Sequence, residues 1–403
     1  MISSSSSPHS DTSREHKKLE AILAPPGFGI ISFSASAVEG RDLRVLKETL
    51  LHSTANSQVN ELPQTNDRTS WETYWRTHTL AEKIKSASVV LIGAPSDTGA
   101  GIQRGAAYGP LALRETLLKI PQYQDLLQSG QVVDAGDIRV NPHLLEDSML
   151  SSDQIQASQA VMYGAVEPSL RSALPVSPLS QLREVLRALR QLNPRARWMV
   201  LGGDHSIAWP ITQELFETYG SRLGILQPDA HTDLLSTRLG VKYCFGTWSW
   251  HADQLIGGNQ KLVQMGIRQS GRDQSHWEST TGVKQYWSKE CQERSREEIA
   301  EELISHFRSR GVTHLYLSND IDGTDASFAS ATGTPVEDGL DREDVEFWIE
   351  ALSKEFQWVG CDLVEVAPAL APHEGALYRT LETAGRYVIT SIKSMLESAQ
   401  RIS

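Results

Sequence analysis

The chain has 403 residues, 39% hydrophobic and 22% charged, with 38 Lys+Arg against 50 Asp+Glu for a formal net charge of −12. That length is ample to bury a core in one large domain or two ordinary ones. The acidic balance excludes broad nucleic-acid binding, which draws most of its affinity from a basic footprint. No apolar run approaches the roughly 18–20 residues of a membrane helix, so no membrane partner is expected. Three scattered cysteines, Cys244, Cys291 and Cys361, support neither a disulfide framework nor a Cys-type zinc site, and read as reduced thiols of a cytoplasmic protein.

In chain order, residues 1–18 are Ser-rich and polar with no apolar segment behind them, which predicts a mobile tail rather than a secretory signal. Residues 19–85 carry Pro/Gly punctuation (Pro25, Pro26, Gly27) and an aromatic cluster, Trp71, Tyr74 and Trp75, and read as an ordered N-terminal appendage. The main domain, 86–403, alternates short β-branched runs with helical patterns. Strands are expected at Ser88–Gly93, Gln131–Asp134, Trp198–Leu201, Leu223–Leu226, Leu262–Gly266, Leu315–Leu317 and Trp358–Cys361. Helices are expected from about Pro110, over Ser180–Gln191, and over 293–309, 341–354 and 376–400. Residues 140–180, rich in Pro and Ser, read as a long insertion. This alternation predicts an α/β fold, a three-layer αβα arrangement around a mostly parallel, doubly wound sheet. Ligands of such sheets sit beyond the carboxyl ends of the strands.

Three segments run from an apolar strand into metal-ligand residue types: Trp198-Met-Val-Leu-Gly-Gly-Asp-His-Ser206, Leu223-Gly-Ile-Leu-Gln-Pro-Asp229-Ala-His231-Thr-Asp233, and Leu315-Tyr-Leu-Ser-Asn-Asp320-Ile-Asp322. Alternate residues of an extended chain share a face, about 6.6–6.8 Å apart. Asp229, His231 and Asp233 therefore fall on one side, as do Asp320 and Asp322, and the glycine pair before Asp204 lets His205 project from a third strand end. Four carboxylates and two imidazoles can converge. Such a cluster is prohibitive without cations, and two divalent ions balance it. An oxygen-rich, thiolate-free set suits Mn²⁺, Ni²⁺ or Fe²⁺.

The segments Gly202-Gly-Asp-His-Ser206, Asp229-Ala-His-Thr-Asp233 and Ser318-Asn-Asp-Ile-Asp322 resemble the signature segments of the ureohydrolases, the arginase/agmatinase family. The resemblance extends to Ile92-Gly-Ala-Pro-Ser96, Arg104-Gly-Ala-Ala-Tyr-Gly-Pro110, Gly323-Thr-Asp325 through Gly333-Thr-Pro335, and Val364-Glu365-Val-Ala-Pro368, and covers about 88–395. It implies an arginase-like fold and a binuclear centre. His205, Asp229, Asp233 and Asp320 would hold one metal, and Asp229, His231, Asp320 and Asp322 the other. Glu365 would receive the substrate's guanidinium, and Asp204 and Asp325 would orient ligands. The implied reaction hydrolyses a guanidino C–N bond to give urea. The resemblance also implies a homo-oligomer, trimer or hexamer, with metal-insertion chaperones as candidate partners.

The sequence departs from that pattern in three places. Phe245 stands where the family's proton-shuttling His is expected, leaving His251, or water with a carboxylate such as Asp233, as catalytic candidates. The side chains that would grip an α-carboxylate after the DAHTD segment are missing. The loop instead offers Phe245, Trp248 and Trp250, whose faces attract a delocalised cation, and Thr98 is a further substrate candidate. Gly323-Thr-Asp-Ala replaces a bulkier segment, which should alter the pocket floor. Together these point to a substrate with little tail and resemble the guanidine hydrolase branch, which would use Ni²⁺; agmatine or a guanidino acid, with Mn²⁺, is the alternative. Arg104, Arg238 and Arg268 are candidates to hold a carboxylate tail. A non-catalytic metal-binding scaffold is the remaining reading. The Gly99–Gly105 stretch is spaced GxGxxxG and reads poorly as a dinucleotide loop.

Overall fold

The computed structural model describes residues 8–31 and 38–401. Among them, nine strands form one sheet: β1 (Leu23–Ala24), β2 (Val89–Ala94), β3 (Val132–Ile138), β4 (Arg197–Gly202), β5 (Leu223–Pro228), β6 (Leu262–Ile267), β7 (Lys284–Trp287), β8 (His314–Asp320) and β9 (Gln357–Val364). The spatial order is β1-β3-β2-β4-β9-β8-β5-β6-β7. Every pairing is parallel except β1 with β3.

The strands β2, β3, β5 and β6 are buried along their whole length, which is why they lack the alternation of a half-exposed strand. One face of the sheet is covered by helices Pro178–Leu192, Ala208–Tyr219 and Trp248–Ile256, and their apolar side chains join those of the N-terminal segment in one core. The other face is covered by helices Gly109–Leu117, Arg296–Ser309, Arg342–Ser353 and Glu374–Gln400. These are the expected three layers.

The helices begin where local chemistry allows. Pro178 opens Pro178–Leu192 at a position where a missing N–H costs nothing. Ser295 and Glu298 form a reciprocal capping box at the start of Arg296–Ser309. Buried Arg114, on helix Gly109–Leu117, donates to Asp134 at 2.7 Å and Asp137 at 2.5 Å, clamping that helix to β3.

The mobile tail expected over residues 1–18 is corrected from Pro8 onward. A helix, Pro8–Ile22, lies against Pro178–Leu192, with Leu19 and Ile22 fully buried and Lys18 Nζ 2.7 Å from Glu184 Oε1. The part of that tail before Pro8 lies outside the described residues. The chain then adds β1 to the sheet edge. The stretch 140–180 contains helices Ser152–Met162 and Pro168–Arg171, capped by Ser151 and Glu167. All three cysteines are buried free thiols. No helix among the described residues is long and apolar enough to cross a membrane.

Candidate active site

The carboxyl ends of β4, β5, β8 and β9 meet in the middle of the sheet, and each delivers part of the site. After β4 the chain passes so close to the β2 loop that a Cβ on Gly203 would lie 1.8 Å from Ser96 O. Asp204 then caps the next turn, accepting from Ser206 N and Gly99 N at 2.9 Å each. This turn aims His205 inward. After β5, His231 N donates to Asp229 Oδ1 at 2.6 Å, and Asp233 adopts φ +51°. After β8, Asp320 Oδ1 accepts from Asp322 N at 2.9 Å. Gly323 follows with no room for a side chain, because a Cβ there would lie 2.5 Å from Asp229 N.

These turns bring six side chains together. His205 Nδ1 lies 3.3 Å from Asp229 Oδ2, 3.2 Å from Asp233 Oδ2 and 3.1 Å from Asp320 Oδ2. His231 Nδ1 lies 3.1 Å from Asp322 Oδ2 and 3.7 Å from Asp229 Oδ1. Donor atoms of His205, Asp229 and Asp233 fall within 4.8 Å of one another, as do those of Asp229, His231 and Asp322, so Asp229 belongs to both groups. His205 Nδ1 is buried and makes no hydrogen bond of acceptable geometry to any of its three carboxylate neighbours. A buried nitrogen ringed by carboxylate oxygens fits a cation at their centre, and the two groups together fit two.

The surroundings orient the ligand atoms. His205 Nε2 meets Ser318 Oγ at 3.0 Å, and Ser318 donates to Asp362, which also accepts from Tyr316 OH. This leaves Nδ1 as the inward lone pair. Thr334 Oγ1 donates to Asp322 Oδ2 at 2.8 Å, and Gln227 Nε2 to Asp229 Oδ2 at 2.7 Å.

Electrostatics report the same crowding. Burial, with Asp322 and Asp229 beside it, pushes the Asp320 carboxyl well above the usual range. Burial and Asp229 push Asp233 to about 6. Burial opposes charge on both histidines, but the facing carboxylates outweigh it: His205 rises well above its ordinary value and His231 to about 12. Burial also opposes charge on Asp229, yet His205 and His231 hold its pKa below the usual carboxylate range.

Glu365 follows β9 with φ +61° and accepts from His205 N at 2.9 Å. Burial and the nearby Asp204 carboxylate push its pKa well up. Asp233 and Glu365 are the two non-glycine residues of the site with left-handed backbone. Each such conformation costs about 1–3 kcal/mol and persists where the surroundings over-determine it, commonly at functional sites.

A cavity of about 360 Å³ opens onto the cluster. Asp233, Asp320, Asp322, His231 and Glu365 line it together with Phe245, Arg238, Thr334 and the Ala100–Gln103 loop. Several expected substrate contacts lie elsewhere. Trp248 is buried beneath the cluster, its Nε1 3.1 Å from Asp233 Oδ2 and its ring centre 4.7 Å from that of His205. Trp250 packs edge-on against His251. His251 itself sits among Trp209, Tyr243 and Trp250 with Nε2 2.9 Å from Lys242 O, outside the cavity lining. Thr98 Oγ1 turns to Pro142 O at 3.3 Å. His251 stands one helical turn beyond Trp248, and that rise along the helix carries it past the cluster to Trp209 of helix Ala208–Tyr219. Among the described residues, Asp204 and Asp325 make their hydrogen bonds to backbone N–H groups rather than to metal-ligand side chains. Asp325 ties its loop by accepting from Ser327 N and Gly339 N, and Gly323-Thr-Asp-Ala does not reach the cavity floor. Arg268 spends its donors on backbone carbonyls including Asp322 and Val336.

Sequence reasoning assigned no role to Thr334, Gln227, Ser318 or Asp362. Gln227 carried a signal, an amide inside an otherwise apolar strand two residues before Asp229.

Comparison with known proteins agrees with this geometry. The arginase family model matches residues 87–391. The chain is 31% identical over 302 residues to a mitochondrial agmatinase of Gallus gallus, covering 72% of this chain and 76% of that protein. It is 30% identical over 285 residues to a mitochondrial guanidino acid hydrolase of Homo sapiens, covering 69% and 70%. The solved proclavaminate amidino hydrolase of Streptomyces clavuligerus superposes with a TM-score of 0.57 at 26% identity, covering 77% of this chain and 92% of that one. A sheet that gathers these six side chains around a shared Asp229, in a chain so matched, belongs to the arginase family, whose members are metal-dependent hydrolases of guanidino compounds.

Proposed function

We propose that this protein hydrolyses free guanidine, with water, to urea and ammonia. The observation that carries the reading is the cavity wall. Phe245 lines the cavity, and the Arg238 guanidinium lies over its ring with the centres 4.5 Å apart. Among the described residues, Arg238 is the one charged side chain of the lining besides the ligand cluster and Glu365. A cationic tail such as that of agmatine would meet like charge there, and no carboxylate beyond the cluster and Glu365 stands ready to receive it.

His205, Asp229, Asp233 and Asp320 would hold one divalent ion, and Asp229, His231, Asp320 and Asp322 the other, nickel being the ion expected with free guanidine. When bound, the ions supply a hydroxide near neutral pH and offset the charge of the carboxylates. The protein's own groups do the rest. Glu365, a buried carboxylate in the cavity lining, receives the substrate guanidinium and fixes its plane. The Phe245 face excludes water from the opposite side. Addition of hydroxide at the guanidinium carbon forms a C–O bond, a C–N bond then breaks, and the departing nitrogen takes a proton. Because His251 lies outside the cavity, the carboxylate of Asp233 is the group that passes that proton.

A second reading rests on Arg238. Its cation would pair with the carboxylate of a short guanidino acid, the substrate class named for the human relative. Urea release should be measured with guanidine, agmatine, arginine and 4-guanidinobutyrate, on protein loaded with nickel or manganese. Guanidine should be the best substrate. Release from 4-guanidinobutyrate but not guanidine would establish the second reading, and release from agmatine alone would refute both. Glu365→Gln should lower kcat/KM by about 30-fold or more, since removing one partner of an enclosed charge pair costs about 2–5 kcal/mol.

A further inference from the structure

Three glutamines occupy neighbouring places on three neighbouring strands: Gln227 on β5, Gln264 on β6 and Gln285 on β7. All three are fully buried, Gln227 and Gln264 in otherwise apolar strands. Their amides form a chain. Trp287 Nε1 donates to Gln285 Oε1 at 2.9 Å, Gln285 Nε2 to Gln264 Oε1 at 2.8 Å, Gln264 Nε2 to Gln227 Oε1 at 2.9 Å, and Gln227 Nε2 to Asp229 Oδ2 at 2.7 Å.

The polarity of this chain is fixed from both ends. An indole N–H only donates, so Gln285 must turn its oxygen to Trp287. A carboxylate only accepts, so Gln227 must turn its nitrogen to Asp229. One side branch demands the same sense, Gln264 Nε2 donating to the Thr232 carbonyl at 2.6 Å, and the Ser249 hydroxyl, which can donate or accept, fits it by donating to Gln227 Oε1 at 2.8 Å. Flipping any one amide would set donor against donor or acceptor against acceptor inside the core, at about 1–3 kcal/mol for each group stranded. Every amide dipole therefore points its positive end toward Asp229, and hydrogen bonds in such chains polarise one another.

We propose that Gln264 and Gln285 are positioning residues for the metal centre. Through Gln227 they hold Asp229 in one rotamer, so that its two oxygens stay divided between the His205 and His231 groups. The chain of amides reaches from the centre of the sheet to its β7 edge, across two strands that contribute no ligand. The inference rests on Asp229 being the shared metal ligand, and the test separates the two ideas.

The test is metal affinity, read by competition with a chromogenic chelator, on full-length protein bearing Gln264→Met, Gln285→Met, Trp287→Phe or Asp229→Asn. Methionine keeps the volume and removes the amide. Gln264→Met should weaken binding of at least one ion about 10-fold, the lower end of what removing an outer partner of a ligand costs. Gln285→Met and Trp287→Phe should weaken it progressively less. Asp229→Asn should abolish binding of both ions. If Asp229→Asn leaves two ions bound, the ligand assignment is wrong. If Asp229→Asn loses them while Gln264→Met and Gln285→Met bind within twofold of the parent, the amides only fill the core and the proposal fails. Trp287→Phe, at a half-buried edge position, remains readable if the core variants do not fold, and unchanged affinity there would then overturn the proposal.

Discussion

At the scale of single residues, the aromatic side chains divide by depth. Phe245 faces the cavity, whereas Trp248 lies beneath the cluster and uses its N–H on Asp233. Trp248→Phe keeps the ring against His205 and removes one hydrogen bond to a carboxylate, worth about 1.5–3 kcal/mol. It should raise the dissociation constant of the ion at His205, Asp229 and Asp233 by about 10-fold or more and also lower the melting temperature of metal-free protein, as Trp248 is fully buried; isothermal titration and thermal melts check this. Asp229, His231, Asp233, Asp320 and Asp322 stand out as ligand candidates because DxHxD and DxD spacings on strand ends leave little freedom, whereas Glu365 is singled out only by the family resemblance. Trp248 and His251 could not be sorted, because which face of a short helix looks inward depends on where that helix starts.

At the scale of elements, long apolar strands and strongly amphipathic helices were legible, and short or weakly patterned ones were not. β7 has four residues, Lys-Gln-Tyr-Trp, half polar because Gln285 serves the amide chain. β1 has two residues and exists only through its pairing with β3. The helix Pro8–Ile22 is polar on average and owes its place to the groove on Pro178–Leu192. The clamp between helix Gly109–Leu117 and β3 yields a prediction of its own. Arg114→Leu would strand Asp134 and Asp137 in the core without a cation. Breaking a buried pair from one side costs about 3–5 kcal/mol, and the urea midpoint of unfolding should fall accordingly.

At the scale of the whole molecule, the metal-free protein carries several acids that burial holds toward the protonated form. Asp233 and Asp362 are pushed up to about 6, against about 3.9 in an unfolded chain. An acid with a raised folded pKa contributes stability below the unfolded value and loses it as pH rises through the folded one. His205 and His231, raised by their carboxylates, add stability below about 6.5 and lose it as pH climbs. Asp229, lowered, acts only in stronger acid. Chelated protein should therefore melt at a lower temperature at pH 8 than at pH 5. Saturating metal should reverse that order, because ions bind the deprotonated ligands. A chelated melting temperature that rises between pH 5 and pH 8 would refute this account.

The order of the strands has a consequence for biosynthesis. β9 is the last strand to leave the ribosome, yet it lies between β4 and β8, at the middle of the sheet. Until it inserts, the growing polypeptide holds two open half-sheets: one carries His205, the other the aspartates and His231, and Glu365 is not yet made. Nothing translated earlier can bridge that seam, so until β9 inserts the nascent protein has no finished pocket and His205 is held apart from Asp229, Asp233 and Asp320. A stop codon at residue 357 would leave two raw strand edges facing each other, a state disposed to aggregate rather than to work at half strength.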